Sequence, residues 1–118
     1  MESDNESKQI VLSYIKALDK QDYVEAASYL DGAVRIKGPG GESFGSSKDF
    51  IGMLKQYRGK YDLKKVFVDG KDVCVIYDFI TPIAKAIMCS WYGIEGGKIN
   101  VVQTIFDPAP FDAAAKRQ

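Results

Sequence analysis

Histidine is absent from the 118 residues, and that one absence excludes a large share of enzyme chemistry. Ser-His-Asp and Cys-His nucleophile systems are ruled out, as is any imidazole-ligated zinc or iron site. Acid–base work then falls to carboxylates, tyrosines, lysines or a cysteine. Cysteine is scarce too. Cys74 and Cys89 make neither a disulfide framework nor a CxxC motif, and no further thiolate completes a metal site around them. We expect no metal, no cofactor and a reducing, cytoplasmic setting.

No lysine-arginine run stands out, and 16 basic residues cancel 16 acidic ones. A nucleic-acid footprint or an electrostatic membrane anchor is therefore not expected. No apolar stretch is long enough to span a bilayer. The opening MESDNESKQ is acidic and polar, reading as neither signal nor transit peptide. There is no repeat, low-complexity segment or linker, so residues 1–118 read as one domain. Residues 1–8 and 112–118 read as peripheral tails.

Apolar periodicity supplies the elements. Residues 10, 11, 14, 15 and 18 follow the helical period from about Asp4 to Leu18. Asp22 with Glu25 three residues on opens a second helix through Tyr29 and Leu30, which Gly32 is placed to stop. Residues 33–37 read as a short strand. GPGGESFG (38–45) reads as a glycine-rich turn around a second one; it lacks a P-loop lysine. Ser46 and Asp49 open a third helix with an apolar face of Phe50, Ile51, Met53, Leu54 and Tyr57, closed by Gly59. Strands follow at about 62–68, 72–81, 84–93 and 98–107, punctuated by DG, TP and EGG turns. Asp107, beside Pro108, reads as a strand-terminating cap or a turn acceptor.

Helices first and an antiparallel meander afterwards imply an α+β fold with the helices on one sheet face. A turn at 82–83 sets Ile76 opposite Cys89 and Cys74 opposite Trp91. A turn at 95–96 sets Trp91 opposite Asn100 and Cys89 opposite Val102. Alternation then puts Asp78, Lys85, Cys89, Trp91, Asn100, Thr104 and Phe106 on one face. The other carries Val73, Val75, Tyr77, Phe79, Met88, Ser90 and Tyr92. The first, with polar groups among large apolar ones, is expected to be a cavity wall. The second is smoother, and we expect a second subunit to cover it as the outer face of a homodimer.

Three segments carry a family resemblance: YIKALDKQDYVEAASYLDGAVRI (14–36), ESFGSSKDFIGML (42–54) and GGKINVVQTIFDP (96–108). Together they resemble the nuclear transport factor 2-like superfamily, within it the SnoaL-like proteins and ketosteroid isomerases. The resemblance implies a cone-shaped α+β barrel, a curved sheet wrapped around helices with a pocket at one end. Its members include isomerases, dehydratases, cyclases, epoxide hydrolases and non-catalytic binders, commonly dimeric. Tyr14 matches the oxyanion-binding tyrosine of ketosteroid isomerases. Gly38 stands where their general-base aspartate lies, and Cys89 falls near their second donor.

The candidate chemistry follows. Tyr14 either rests in the core with its hydroxyl on a carbonyl or water, or donates to a ligand oxygen. Asp78 serves as a base if it faces the pocket; the alternatives are an ion pair with Lys85 or an exposed strand position. Tyr29, Phe50, Met53, Leu54, Tyr57, Cys89, Trp91 and Phe106 are candidate ligand-lining residues, with Asn100 and Thr104 as orienting polar groups. The function expected is binding of a small, largely apolar organic ligand, extended to cofactor-free isomerisation, dehydration or cyclisation if Tyr14 and Asp78 cooperate. The competing expectation is an assembly module whose cavity is filled by side chains.

Overall fold

The computed structural model describes residues 2–38, 41–44 and 46–111. Helix α1 (Glu2–Asp19) begins within the expected tail, because Ser7 is already buried. Its core stripe is Val11, Tyr14, Ile15 and Leu18. Helix α2 (Tyr23–Ser28) starts where the Asp22 carboxylate accepts the Glu25 N–H at 3.1 Å. It ends sooner than expected, at Tyr29, so Gly32 lies inside strand β1 (Leu30–Gly38) and stops nothing. Strand β2 (Gly41–Phe44) follows; residues 39, 40 and 45 of the glycine-rich turn, and the 112–118 tail, lie outside the described residues.

Helix α3 (Ser47–Tyr57) is capped by Ser46, whose hydroxyl accepts the Asp49 N–H at 3.2 Å. The left-handed residue after it is Arg58, at φ 51°, not Gly59. Gly59 is required for another reason: a Cβ there would lie 2.0 Å from Phe79 Cε1.

Strands β3 (Lys60–Asp69), β4 (Asp72–Ile80), β5 (Lys85–Glu95) and β6 (Lys98–Ile105) complete a six-stranded sheet of order β2-β1-β6-β5-β4-β3. The last four form the expected antiparallel meander, but β1 runs parallel to β6, so the sheet is mixed. It curves around the helices without closing, with β2 and β3 as its edges. Past β6, the Asp107 carboxylate accepts the Ala109 N–H at 3.0 Å, a turn acceptor as read.

The β4–β5 register is as expected, with Ile76 opposite Cys89 and Cys74 opposite Trp91. The β5–β6 register is not. Trp91 faces Gln103 rather than Asn100, and Cys89 faces Ile105 rather than Val102. Two local features cause the shift. The loop is Gly96-Gly97, both at positive φ (58° and 77°), so Glu95 pairs with Lys98. Asn100 is then the extra residue of a bulge between the Ile94–Ile99 and Gly93–Val101 pairs. An odd displacement exchanges the two faces of β6 relative to β5.

Candidate functional site: a tyrosine-floored cavity

The buried side of β4 and β5 carries Val73, Val75, Tyr77 and Phe79, then Ala86, Met88, Ser90 and Tyr92. This is the face that looked smooth in sequence, and it is the inner wall. With Val102 and Thr104 of β6, and Phe106 just past it, it bounds a cavity of about 300 Å³. Helices α1 and α3 close it with Tyr14, Leu18, Phe50, Met53, Leu54 and Tyr57; Ile36, Lys37 and Gly38 of β1 add one side. Tyr57, Pro108 and Phe111 reach toward solvent at the mouth. Phe111 packs there against Tyr57, Phe79 and Phe106, at ring separations of 6.4, 6.2 and 5.9 Å.

Of the expected site residues, Tyr14, Phe50, Met53, Leu54, Tyr57, Thr104 and Phe106 line this cavity. Five do not. Asp78 lies on the outer face, where Lys64 Nζ and Lys85 Nζ stand 3.5 and 3.7 Å from its carboxylate. Cys89 and Trp91 share that face, the Trp91 indole donating to the Asp72 carboxylate at 2.9 Å. Asn100 is taken up by the bulge. Tyr29 caps α2 beside a small surface pocket with Ser13, Lys16, Lys20 and Glu25.

The reason is general: charges on a half-exposed face mark solvent, while an inner wall keeps its polar atoms paired with one another. Tyr61, Tyr77 and Tyr92, missed as site residues, are the outcome. The signal was present, since Tyr77, Ser90 and Tyr92 share one face of an otherwise apolar pair of strands.

These hydroxyls form the polar floor. Tyr77 Oη and Ser90 Oγ are 2.9 Å apart, and Ser90 Oγ is 2.9 Å from Thr104 Oγ1. Tyr92 joins the same group through Ser90 and Tyr77. Tyr14 meets Tyr92 edge-on, with ring centroids 5.9 Å apart. Its hydroxyl has no hydrogen-bond partner among the described residues, although only 1% of the residue is exposed. Buried phenols normally find such a partner. Tyr14 is one of the residues that line the cavity.

Burial pushes the Tyr14 phenol far above its ordinary range, and the nearby Tyr77 adds to the shift. Burial likewise raises Tyr61, Tyr77 and Tyr92. All four are neutral donors near pH 7. No carboxylate occurs among the described lining residues, and the one cationic side chain, Lys37, belongs to an exposed position. Gly38, which the resemblance sets in the place of a general base, lines the cavity without a side chain to offer.

No family model matches the chain, and no curated protein matches it. Solved structures do. A protein of unknown function from Cytophaga hutchinsonii, described as NTF2-like, is 28% identical over 90% of this chain and 94% of its own, with a TM-score of 0.85. The chain belongs to the nuclear transport factor 2-like superfamily. More distant members share the fold alone. A candidate SnoaL-like polyketide cyclase from Shewanella denitrificans is 15% identical, covering 95% of this chain and 98% of its own, at a TM-score of 0.77. An LEH-like epoxide hydrolase from M. tuberculosis is 16% identical, covering 96% and 91%, at 0.75. Two different functional descriptions, and one protein of unknown function, on one nuclear transport factor 2-like frame leave function to the residues of the cavity.

Proposed function

We propose that this nuclear transport factor 2-like protein binds a small, neutral, largely apolar organic molecule, with Tyr14 donating to its carbonyl or hydroxyl oxygen. The observation that carries this reading is Tyr14 on the lining of an aromatic-walled cavity, its hydroxyl without a protein partner among the described residues. An unfilled volume of about 300 Å³ counts against a cone packed solid by its own side chains. Proton transfer in this cavity needs a base that its described lining does not hold, because Asp78 lies on the far side of the sheet, paired with Lys64 and Lys85. Isomerisation or dehydration by Tyr14 and Asp78 together is therefore set aside in favour of binding.

Native mass spectrometry of protein taken directly from cells tests the reading, and a retained organic molecule is expected. Calorimetry with naphthol supplies the quantitative arm. Tyr14→Phe removes one hydrogen bond and should weaken binding roughly 3- to 10-fold. Asp78→Asn should leave affinity unchanged. The reverse pattern, loss in Asp78→Asn with Tyr14→Phe unaffected, would show that the site lies elsewhere.

We further propose that a second copy covers the outer sheet face, making a homodimer. On that face Ile87, Ile105, Phe67 and Trp91 are 65%, 64%, 56% and 40% exposed. Contiguous apolar surface of this kind marks an interaction site, and two-fold pairing is the commonest way to cover it. Ile87→Lys with Ile105→Lys should shift the chain to monomer in sedimentation velocity while leaving its circular dichroism unchanged. An unshifted dimer, or a monomeric parent at tens of micromolar, rejects this face.

A further inference from the structure

The outer face holds a pair of side chains that ligand binding does not use. Cys74 on β4 and Cys89 on β5 place their Sγ atoms 3.3 Å apart. They are diagonal partners, since Cys74 lies opposite Trp91 and Cys89 opposite Ile76. Both are free thiols and half-buried, so solvent reaches them in the single chain.

A disulfide has an S–S length of about 2.05 Å, so the sulfurs need to close by little more than about 1 Å. Side-chain rotation and a small shear of two hydrogen-bonded strands supply movement on that scale. Because β4 and β5 hold the thiols together, each meets the other at a far higher effective concentration than any thiol in solution.

We propose that Cys74 and Cys89 form a reversible dithiol–disulfide pair, a covalent modification site whose oxidant is a low-molecular-weight disulfide such as glutathione disulfide. Cys89 reacts first. Its thiolate attacks one sulfur of glutathione disulfide, forming a protein–glutathione bond and releasing one glutathione thiolate, which takes up a proton. Cys74 then gives its proton to solvent and attacks Cys89 Sγ. The protein disulfide forms, the mixed bond breaks and the second glutathione departs. Two protein thiols are oxidised and one glutathione disulfide is reduced to two glutathiones.

The order has a physical basis. The Cys74 thiol is pushed up to about 11 by burial, then by its hydrogen bond to Cys89 and the charge there. Capping Cys89 with glutathione removes that charge, so Cys74 ionises more readily once it is needed as the resolving thiol. The pair lies on the face proposed for self-association, and the bridge is intramolecular, so its formation depends on the geometry within one chain.

The test uses dilute full-length protein incubated with glutathione disulfide, quenched with an alkylating reagent and read by intact mass and a non-reducing peptide map. The expected product has lost two hydrogens, resists alkylation at both cysteines and yields a Cys74–Cys89 linked peptide. Dithiothreitol should restore both thiols. The mixed disulfide should stay below about a tenth of the protein, because ring closure outruns adduct formation. Cys74→Ser should stop at one glutathione on Cys89. Stable glutathione adducts on the parent protein, disulfide-linked dimers, or two thiols that remain alkylatable would each overturn the proposal.

Discussion

Raising the pH above about 10 should unfold this protein, and its buried tyrosines should ionise only as it does so. Tyr14, Tyr77 and Tyr92 are 1%, 4% and 2% exposed, and burial raises all three. Each therefore binds its proton more tightly when folded than in the unfolded chain, whose tyrosines titrate near 10. The sign follows directly. Below that pH both states keep the proton and nothing is lost. Above it the unfolded state binds fewer protons, so stability falls as pH rises. The limiting slope is about 1.4 kcal/mol per pH unit for each group. Three groups then cost up to about 4 kcal/mol per unit, with Tyr61 adding in the same direction. Domains of this size have only about 5–15 kcal/mol in hand, so one to three units exhaust it. Tyrosinate absorbance and far-ultraviolet circular dichroism should change together between about pH 10 and 12. Tyrosinate signal from all the buried rings while the fold persists would contradict the cavity floor described above. Tyr77→Phe should flatten the slope, at the cost of the Ser90 hydrogen bond.

The same tyrosines mark where the sequence was legible and where it was not. Local signals carried the element order: the α1 stripe, the Asp22 and Ser46 caps and the turn that sets Ile76 opposite Cys89. Each is decided within a few residues. The β5–β6 register depends on where the chain takes up one extra residue, and Asn100 carries no local mark of being that residue. The β1–β6 parallel pairing joins segments almost seventy positions apart, beyond the reach of periodicity. Which face is inner was misread because Asp78 and Lys85 were weighed as pocket polarity. Their partners are one another, Lys64 and solvent. Tyr14 and the α3 residues line the cavity because a helix shows its buried stripe directly, whichever sheet face it covers.

Gly59→Ala should be among the most damaging single-methyl changes available in this chain. Its backbone lies outside the left-handed region, so alanine meets no torsional penalty there. By itself, the loss of unfolded-state freedom would stabilise the protein by about 0.4–1 kcal/mol. The added Cβ would instead meet the Phe79 ring at 2.0, 2.4 and 2.9 Å. Phe79 has little room to yield, since Tyr57, Tyr61 and Phe111 surround it at ring separations of 6.3, 5.2 and 6.2 Å. The open direction is the cavity. Overpacking of this kind costs about 1–3 kcal/mol, and the steric term should win by about 1–2 kcal/mol. Thermal melting should shift down by roughly 5–10 °C. Naphthol affinity should fall as well, because the displaced ring occupies ligand space. The second mutation identifies the cause. In a Phe79→Leu background the added methyl has room, so Gly59→Ala should cost less than half as much, a coupling of about 1 kcal/mol. Equal costs in both backgrounds would place the strain elsewhere. Recovery of stability in Phe79→Leu would show that this glycine is held for the ring that walls the cavity, rather than for the end of α3.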